Sequence, residues 1–171
     1  MTSSSTATQT SGTVLAGNAT PEQKEGVIRA WEFLARDELF ANKVIACTTP
    51  TRYDVRKDAS GRDAAELECE LVVGDDMLNA YRTLHGGCSA YIIDVLTSIC
   101  LMPLTLNHVS LSMDIAYHAP APLGAKLRIV SLTTSVGKRV YTTRCEISDK
   151  NTGRLYVSGG HIKMPPSTGK L

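Results

Sequence analysis

One acidic residue, Asp94, lies eight residues after the first glycine of His85-Gly86-Gly87, in a run that is otherwise uncharged. The glycines open a predicted helix. The first N–H groups of a helix have no partner within it, so they can bind an anion. A carboxylate inside an apolar helix needs a partner or a chemical role, and we expect Asp94 to be buried for such a reason. The sequence thus combines an oxyanion-binding backbone with a base, which is the equipment of a hydrolase.

The spacing between these two features also predicts an assembly. Eight residues of helix rise about 12 Å, so one carbonyl group cannot contact both the Gly86 N–H and the Asp94 carboxylate of the same helix. If both groups act on one substrate, the second helix comes from another copy of the chain. We therefore expect a homodimer with two-fold symmetry and two identical, shared sites.

The elements that hold these residues are predicted from hydrophobic periodicity. Thr20 and Pro21 are typical of a helix start, and helical spacing of apolar residues continues to about Asn42. The stretch from Lys43 to about Val55 is rich in β-formers and predicts a first strand. Alternating apolar and acidic residues over Ala65–Leu71 predict a second, half-buried strand.

The second half of the chain predicts one long helix followed by strands. Gly86–Met102 is apolar almost all round and predicts a helix wrapped on most sides. Short connections between the next strands predict an antiparallel meander. The four strands are expected at Val109–Tyr117, Ala125–Thr133, Val140–Ser148 and Leu155–Lys163. The order of elements predicts an α+β fold, with one antiparallel sheet wrapped around the long central helix and an extra N-terminal helix.

Composition excludes several classes of protein. The net charge of +1, without a basic stripe, argues against nucleic acid as a partner. The five cysteines form no Cys-x-x-Cys pair, and the histidines do not fall at metal-ligand spacing, so we expect free thiols and no metal site. The central helix is too short to span a membrane and contains Asp94.

The two ends of the chain predict short tails. Residues 1–20 are rich in Ser, Thr, Gly and Ala and predict a disordered segment without a secretory signal. We expect one domain over residues 21–165 and a second tail over residues 166–171. A cytoplasmic location is expected. The terminal Gly169-Lys170-Leu171 differs by one residue from a peroxisomal signal, which leaves the peroxisome open, and the absence of arginine before Lys24 disfavours mitochondrial import.

Several pieces of the chain, spread over about residues 22–164, resemble a known family. This family comprises the hotdog-fold acyl-CoA thioesterases of the phenylacetyl-CoA/4-hydroxybenzoyl-CoA type, and the resemblance is greatest to the acyl-CoA thioesterase 13 group. The matching pieces are Asn79-Ala-Tyr-Arg-Thr-Leu-His85-Gly-Gly, Asp94, Val109–Tyr117, Pro120-x-x-Leu123-Gly124, Gly137-Lys138 and His161-x-Lys163.

The resemblance implies hydrolysis of an acyl-CoA thioester and a role for each of these residues. Asp94 would attack the thioester or activate water, and the residues leave both roles open. Gly86 would donate its N–H to the carbonyl oxygen. Asn79 would polarise the carbonyl or hold the loop, His85 would order the loop, and Ser110 would position water or the carboxylate.

A second group is expected to bind coenzyme A. The resemblance implies close approach of the backbone at Gly87 and cations near the coenzyme A phosphates. The expected residues are Gly87, Gly137, Lys138, Arg139, His161 and Lys163. Coenzyme A would be part of the substrate, with no further cofactor, and related proteins are often tetramers of two dimers.

Three other interpretations remain open. The same fold would serve a non-catalytic sensor that binds acyl-CoA without hydrolysing it. A hotdog dehydratase or hydratase uses a histidine and an acid at a different spacing. Cys88 lies three residues after His85, so a Cys–His nucleophile is conceivable.

Overall fold

The computed structural model describes residues 14–105 and 107–166 of the chain. Three helices, one 3₁₀ turn over Asp75–Met77 and six strands follow one another along these residues. The helices are α1 (Pro21–Leu34), α2 (Asn42–Ala46) and α3 (Gly86–Leu101). The strands are β1 (Thr49–Lys57), β2 (Asp63–Val72), β3 (Val109–Tyr117), β4 (Lys126–Val136), β5 (Tyr141–Asp149) and β6 (Leu155–Met164).

The six strands form one antiparallel sheet in the order β1-β2-β4-β5-β6-β3. Strands β4, β5 and β6 form the predicted meander. The prediction that β3 belongs to the same meander is wrong, because β3 pairs with β6 at the far edge. The connection over residues 118–125 contains two prolines and is too long for a tight hairpin, so β4 pairs with β2 instead.

Helix α3 packs against the sheet and forms the centre of the core. Ile92, Ile93 and Ile99 are fully buried between the helix and the strands. The helix approaches β6 closely because Gly159 has no side chain. A Cβ atom there would lie 3.1 Å from Ile93 Cδ1 and 2.7 Å from the Asp114 carbonyl oxygen. The predicted α+β hotdog architecture, with its extra N-terminal helix, is confirmed.

The region before β1 differs from the prediction. Helix α1 begins as predicted, with Thr20 as its cap and a reciprocal bond from Gln23, but it ends at Leu34. The strand expected from Lys43 is wrong at its start, since residues 42–46 form helix α2. A short apolar run fits either a strand or a buried helix. Here burial of Ile45 and the bond from Trp31 Nε1 to its carbonyl (3.0 Å) favour the helix.

The segment just before α1 is ordered, which corrects part of the predicted tail. Leu15 and Ala19 are buried in the core, and Ala16 exchanges backbone hydrogen bonds with Thr51 and Tyr53 of β1. Residues 14–20 therefore pack against the sheet, because the apolar side chains of Leu15 and Ala19 are buried there. Residues 1–13 and the Gly169-Lys170-Leu171 end lie outside the described residues.

Within those same residues, none of the helices has the length and apolar character needed to cross a membrane. The described part of the chain also contains no cluster of three or more His, Cys, Asp or Glu residues that could hold a metal ion.

The contact between β1 and the end of α3 gives a test of the fold. Tyr53 is fully buried, and its hydroxyl donates to the Cys100 carbonyl at 2.9 Å. The Tyr53→Phe variant leaves this carbonyl without a donor, so we expect the free energy of unfolding to fall by about 1–2 kcal/mol. Urea unfolding would measure it. Tyr81→Phe, at an 88% exposed tyrosine, is the matched control and should change stability by less than about 0.5 kcal/mol. Equal losses in the two variants would contradict this account.

Candidate active site

The N-terminal end of α3 presents free backbone donors. His85 is the cap, and its Nδ1 atom accepts a hydrogen bond from the Gly87 N–H at 2.9 Å. This bond assigns the ring proton to Nε2. Among the residues that the structure describes, the Gly86 N–H has no hydrogen-bond partner. The cap therefore uses the Gly87 N–H, whereas the Gly86 N–H remains available.

Asn79 holds the loop that leads to this helix end. Its Oδ1 atom accepts from the N–H groups of Tyr81 (2.9 Å) and Thr83 (3.2 Å), and its Nδ2 atom donates to Thr83 Oγ1 at 2.9 Å. Asn79 and Gly86 line one cleft of about 460 Å³. Of the two roles expected for Asn79, these contacts favour holding the loop.

Tyr117 is a residue of this cleft that the sequence analysis did not single out. Its hydroxyl donates to the Gly86 carbonyl at 3.0 Å, and a Cβ atom at Gly86 would lie 3.2 Å from that hydroxyl. The absence of a side chain at Gly86 therefore allows the contact. In the sequence, Tyr117 was marked only as the last residue of the matching Val109–Tyr117 segment.

Asp94 lies two turns further along α3, in a separate groove. Its side chain is 47% exposed, so the expected burial is wrong for the single chain. The carboxylate faces a groove of about 1050 Å³ between α1 and α3. Asp94 Oδ1 lies 3.6 Å from His161 Nδ1 and 3.7 Å from Lys163 Nζ.

His161 connects the helix to β3 through both of its ring nitrogens. Nδ1 lies 2.9 Å from Thr97 Oγ1, and Nε2 lies 2.9 Å from Ser110 Oγ. The Thr97 hydroxyl donates to the Ile93 carbonyl at 2.7 Å, so Nδ1 is the donor to Thr97 and Nε2 accepts from Ser110. Burial and the neighbouring Lys163 lower the pKa of His161 to about 4, so the ring is neutral near pH 7.

Lys163 is a buried cation beside the carboxylate. Its side chain is 3% exposed, and Nζ donates to Ser110 Oγ at 3.3 Å. Burial lowers the pKa of Lys163, and the nearby Asp94 opposes this effect. Ser110 thus has two fixed partners, His161 and Lys163, next to the Asp94 carboxylate.

The basic residues expected near the coenzyme A phosphates lie in two different places. The side chains of His161 and Lys163 are buried and point towards α3, because alternate residues of β6 face the helix. Lys138 and Arg139 are exposed at the tip of the β4–β5 hairpin, whose backbone is closed by a bond from Gly137 N–H to the Val140 carbonyl.

The predicted groups therefore divide between two cavities of one chain. Asn79 and Gly86 line the cleft, Asp94 and Ser110 line the groove, and the two cavities share no lining residue. This agrees with the separation of about 12 Å along the helix. Within one chain, the cleft offers a backbone N–H donor and the groove offers a carboxylate, a hydroxyl and a cation.

Known proteins resemble both the sequence and the fold. The sequence profile described as thioesterase superfamily matches residues 81–156. Human acyl-coenzyme A thioesterase 13 is 34% identical over 97 residues, which cover 56% of this chain and 69% of that protein. The chain belongs to the thioesterase superfamily. It is a thioester hydrolase, and the resemblance noted in the sequence is confirmed.

Solved structures share the fold of this thioesterase. Thioesterase superfamily member 2 from Mus musculus superposes with a TM-score of 0.67 at 24% identity, covering 85% of this chain and 98% of that chain. A hypothetical thioesterase from Streptococcus pneumoniae, solved with coenzyme A, superposes with a TM-score of 0.57 at 23% identity, covering 70% and 90%. These likenesses support the hotdog fold.

Two further side chains of this thioesterase bear on the chemistry. Burial raises the pKa of Cys88 to about 11, so the thiol stays protonated near neutral pH, which argues against a Cys88 nucleophile. His108 lines the groove, and burial together with Lys163 lowers its pKa. His108 precedes β3 without any recognisable motif, so it was not predicted from the sequence.

The buried, neutral His161 predicts a pH dependence of stability. Its pKa is about 4 in the folded chain and about 6.5 when exposed, so between these values the unfolded chain binds more protons. The free energy of unfolding should therefore fall as the pH falls, by about 2 kcal/mol from this residue between pH 6.5 and pH 5. Urea unfolding at both pH values would measure the change.

The His161→Gln variant should lose this part of the pH dependence. His118→Gln, at an exposed histidine, is the matched control and should keep the wild-type slope. An unchanged slope in His161→Gln would contradict the assignment of a neutral, buried ring.

Proposed function

We propose that this thioesterase hydrolyses acyl-CoA, so that an acyl-CoA and water give a carboxylic acid and coenzyme A. The observation that carries the proposal is the Asp94 carboxylate, held beside Lys163 and Ser110 at the end of an open groove. The name of the human relative and the coenzyme A in the streptococcal structure support this substrate class. Coenzyme A is part of the substrate, and no further cofactor or metal enters the proposed reaction.

We further propose that two chains share each site. Strand β3 is an edge strand, and an exposed apolar edge favours pairing with another chain. Its exposed apolar side chains are Val109, Leu111, Met113 and Tyr117. Pairing at this edge in a two-fold dimer would bring the cleft of one chain towards the groove of the other. A tetramer of two such dimers is proposed on the family resemblance alone.

The proposed reaction needs one donor and one base. The Gly86 N–H of one chain would bind the carbonyl oxygen as negative charge develops, aided by the dipole of α3. Asp94 of the other chain would take a proton from water as that water attacks the carbonyl carbon. The tetrahedral intermediate would then expel the coenzyme A thiolate, which accepts the proton.

A second role for Asp94 would give the same overall reaction. Its carboxylate oxygen would attack the carbonyl carbon directly and expel the thiolate, forming a mixed anhydride that water then hydrolyses. In either role Lys163 and Ser110 would hold the carboxylate or the water in position. The neutral His161 would orient Ser110 by accepting a hydrogen bond from its hydroxyl group.

We propose that the exposed Gly137-Lys138-Arg139 turn binds the coenzyme A phosphates, since cations at an exposed hairpin tip are suited to phosphate.

We propose a cytoplasmic location for the protein. All five cysteines are free thiols, as is usual in a reducing compartment.

The Asp94→Asn variant tests the central residue. Asparagine keeps the shape but removes the base, so we expect kcat for thiol release from acyl-CoA to fall by about 10²- to 10⁴-fold with little change in binding. Asp63→Asn, an exposed aspartate outside both cavities, is the matched control. An active Asp94→Asn enzyme would overturn the mechanism. Acyl-CoA binding by the wild type without any thiol release would favour a sensor instead.

The Ser110→Ala variant separates positioning from nucleophilic attack. Since Ser110, His161 and Asp94 lie close together, a serine nucleophile would also use these residue types. With Ser110 as a positioning residue, we expect kcat to fall by about tenfold to a hundredfold, which is less than for Asp94→Asn. Ser112→Ala, on the same strand, is the control. A Ser110→Ala enzyme as inactive as Asp94→Asn, together with an acyl-enzyme burst in the wild type, would assign the attack to Ser110.

A further inference from the structure

The cleft at the start of α3 would stabilise an oxyanion better with a second donor. Oxyanion sites of acyl-transfer enzymes combine donors from backbone N–H groups and side chains, all aimed at the developing charge, and the Gly86 N–H supplies one of them here. The polar side chains that line the cleft are the candidates for another. They are Asn79, Thr83, Ser89, Tyr117 and His118.

Three of these side chains are held by contacts within the chain. Asn79 and Thr83 bond to each other, with Nδ2 of the asparagine donating to Oγ1 of the threonine at 2.9 Å. Ser89 is 1% exposed, and its hydroxyl donates back to the His85 carbonyl at 3.4 Å. A donor used in this way cannot turn to a substrate without loosening the loop or the helix.

Tyr117 is the remaining candidate, because His118 is engaged away from Gly86. His118 Nε2 lies 2.9 Å from Ser158 Oγ, on the face of β6 opposite α3. Tyr117 is 59% exposed, and its hydroxyl donates to the Gly86 carbonyl at 3.0 Å. The same oxygen would lie 3.2 Å from a Cβ atom at Gly86. The hydroxyl therefore adjoins the residue whose N–H remains available.

We propose that Tyr117 is a catalytic residue whose hydroxyl donates, together with the Gly86 N–H, to the thioester carbonyl oxygen. The proposal rests on the proposed function, which places that carbonyl at the start of α3. The hydroxyl would turn its hydrogen from the Gly86 carbonyl to the substrate oxygen, and this bond strengthens as negative charge develops there. The proton stays on the phenol throughout, and no covalent bond to the tyrosine forms or breaks.

The Gly86 carbonyl can release the hydroxyl without being left unsatisfied. It belongs to the first turn of α3, so it also accepts the N–H of Ala90, four residues later. A hydrogen bond to an oxyanion is stronger than one to a neutral carbonyl, so the exchange becomes favourable as the charge develops. An interaction that is strongest in the transition state is one that raises kcat.

The location of Tyr117 also suits a site shared by two chains. Tyr117 is the last residue of the edge strand β3, and Ser110 lies near its start, with both side chains on the face that meets α3 and His161. In a two-fold dimer with paired β3 strands, the end of one strand lies beside the start of the other. Tyr117 of one chain would then approach Ser110 and Asp94 of the other, so that donors and base meet at one carbonyl group.

The Tyr117→Phe variant removes the hydroxyl and keeps the ring. In thiol release from hexanoyl-CoA we expect kcat to fall about 10²-fold with little change in KM, because the lost bond is strongest in the transition state. Tyr81→Phe makes the same change at an exposed tyrosine that lines neither cavity, and it should keep the wild-type kcat.

Infrared difference spectroscopy separates donation to the substrate from support of the helix end. Hexanoyl-CoA labelled with ¹³C at its carbonyl would be bound to Asp94→Asn, which is expected to hold the thioester without hydrolysing it. Hydrogen bonds weaken a C=O bond, so the carbonyl band should lie at lower wavenumber than that of the free thioester. Adding Tyr117→Phe should move the band back towards the free value, whereas adding Tyr81→Phe should leave it in place.

Two outcomes would overturn the inference while the proposed function persists. A Tyr117→Phe enzyme with the wild-type kcat would show that the Gly86 N–H acts without the hydroxyl. A lower kcat with an unmoved carbonyl band would reduce Tyr117 to a support of the helix end. In both cases thiol release by the wild type, and its loss in Asp94→Asn, would still establish the hydrolase. Failure of the wild type to release thiol from acetyl-, hexanoyl-, decanoyl- and phenylacetyl-CoA would instead remove the proposed function, and this inference with it.

Discussion

The close packing of α3 on β6 is the contact on which the rest of the site depends. Gly159 allows Ile93 to approach the strand, and this approach fixes the height of the helix above the sheet. As a result, Asp94 and Thr97 lie opposite His161 and Lys163. A side chain at position 159 would separate the helix from the strand, and the carboxylate would lose both of its neighbours.

The polar cluster below the helix is stable because its charges are few and paired. Transfer of a lysine ammonium into an apolar core is costly unless an opposite charge lies nearby, and Asp94 supplies that charge to Lys163. His161 stays neutral, so no second cation competes for the carboxylate. Both of its ring nitrogens have partners, which lets an imidazole remain buried without an unsatisfied polar atom.

Sequence reasoning was most successful where the answer depended on local geometry. The rise of a helix was enough to separate Gly86 from Asp94, and cap chemistry was enough to place Thr20 at the start of α1. It was less successful where the answer depended on packing. Val44 and Ile45 suit a strand by type but lie in a helix, because a tryptophan and the core fix them there.

The placement of His161 and Lys163 shows a different limitation. Alternation along β6 puts them on the same face as Val157 and Gly159, which is the buried face. That pattern was visible in the sequence, but ionisable side chains are normally expected in water. Their burial is favoured by Asp94, Thr97 and Ser110, which come from other elements, and only the fold brings these together.

In the proposed dimer, α3 of each chain belongs to two sites, because its first residue serves one and its middle serves the other. A packed helix is stiff over two turns, so a small shift of this helix moves the donor of one site and the base of the other together. In such a dimer the helix would link the two sites mechanically. Substrate that repositioned it in one site would change the geometry of the other, which would be a physical basis for communication between subunits.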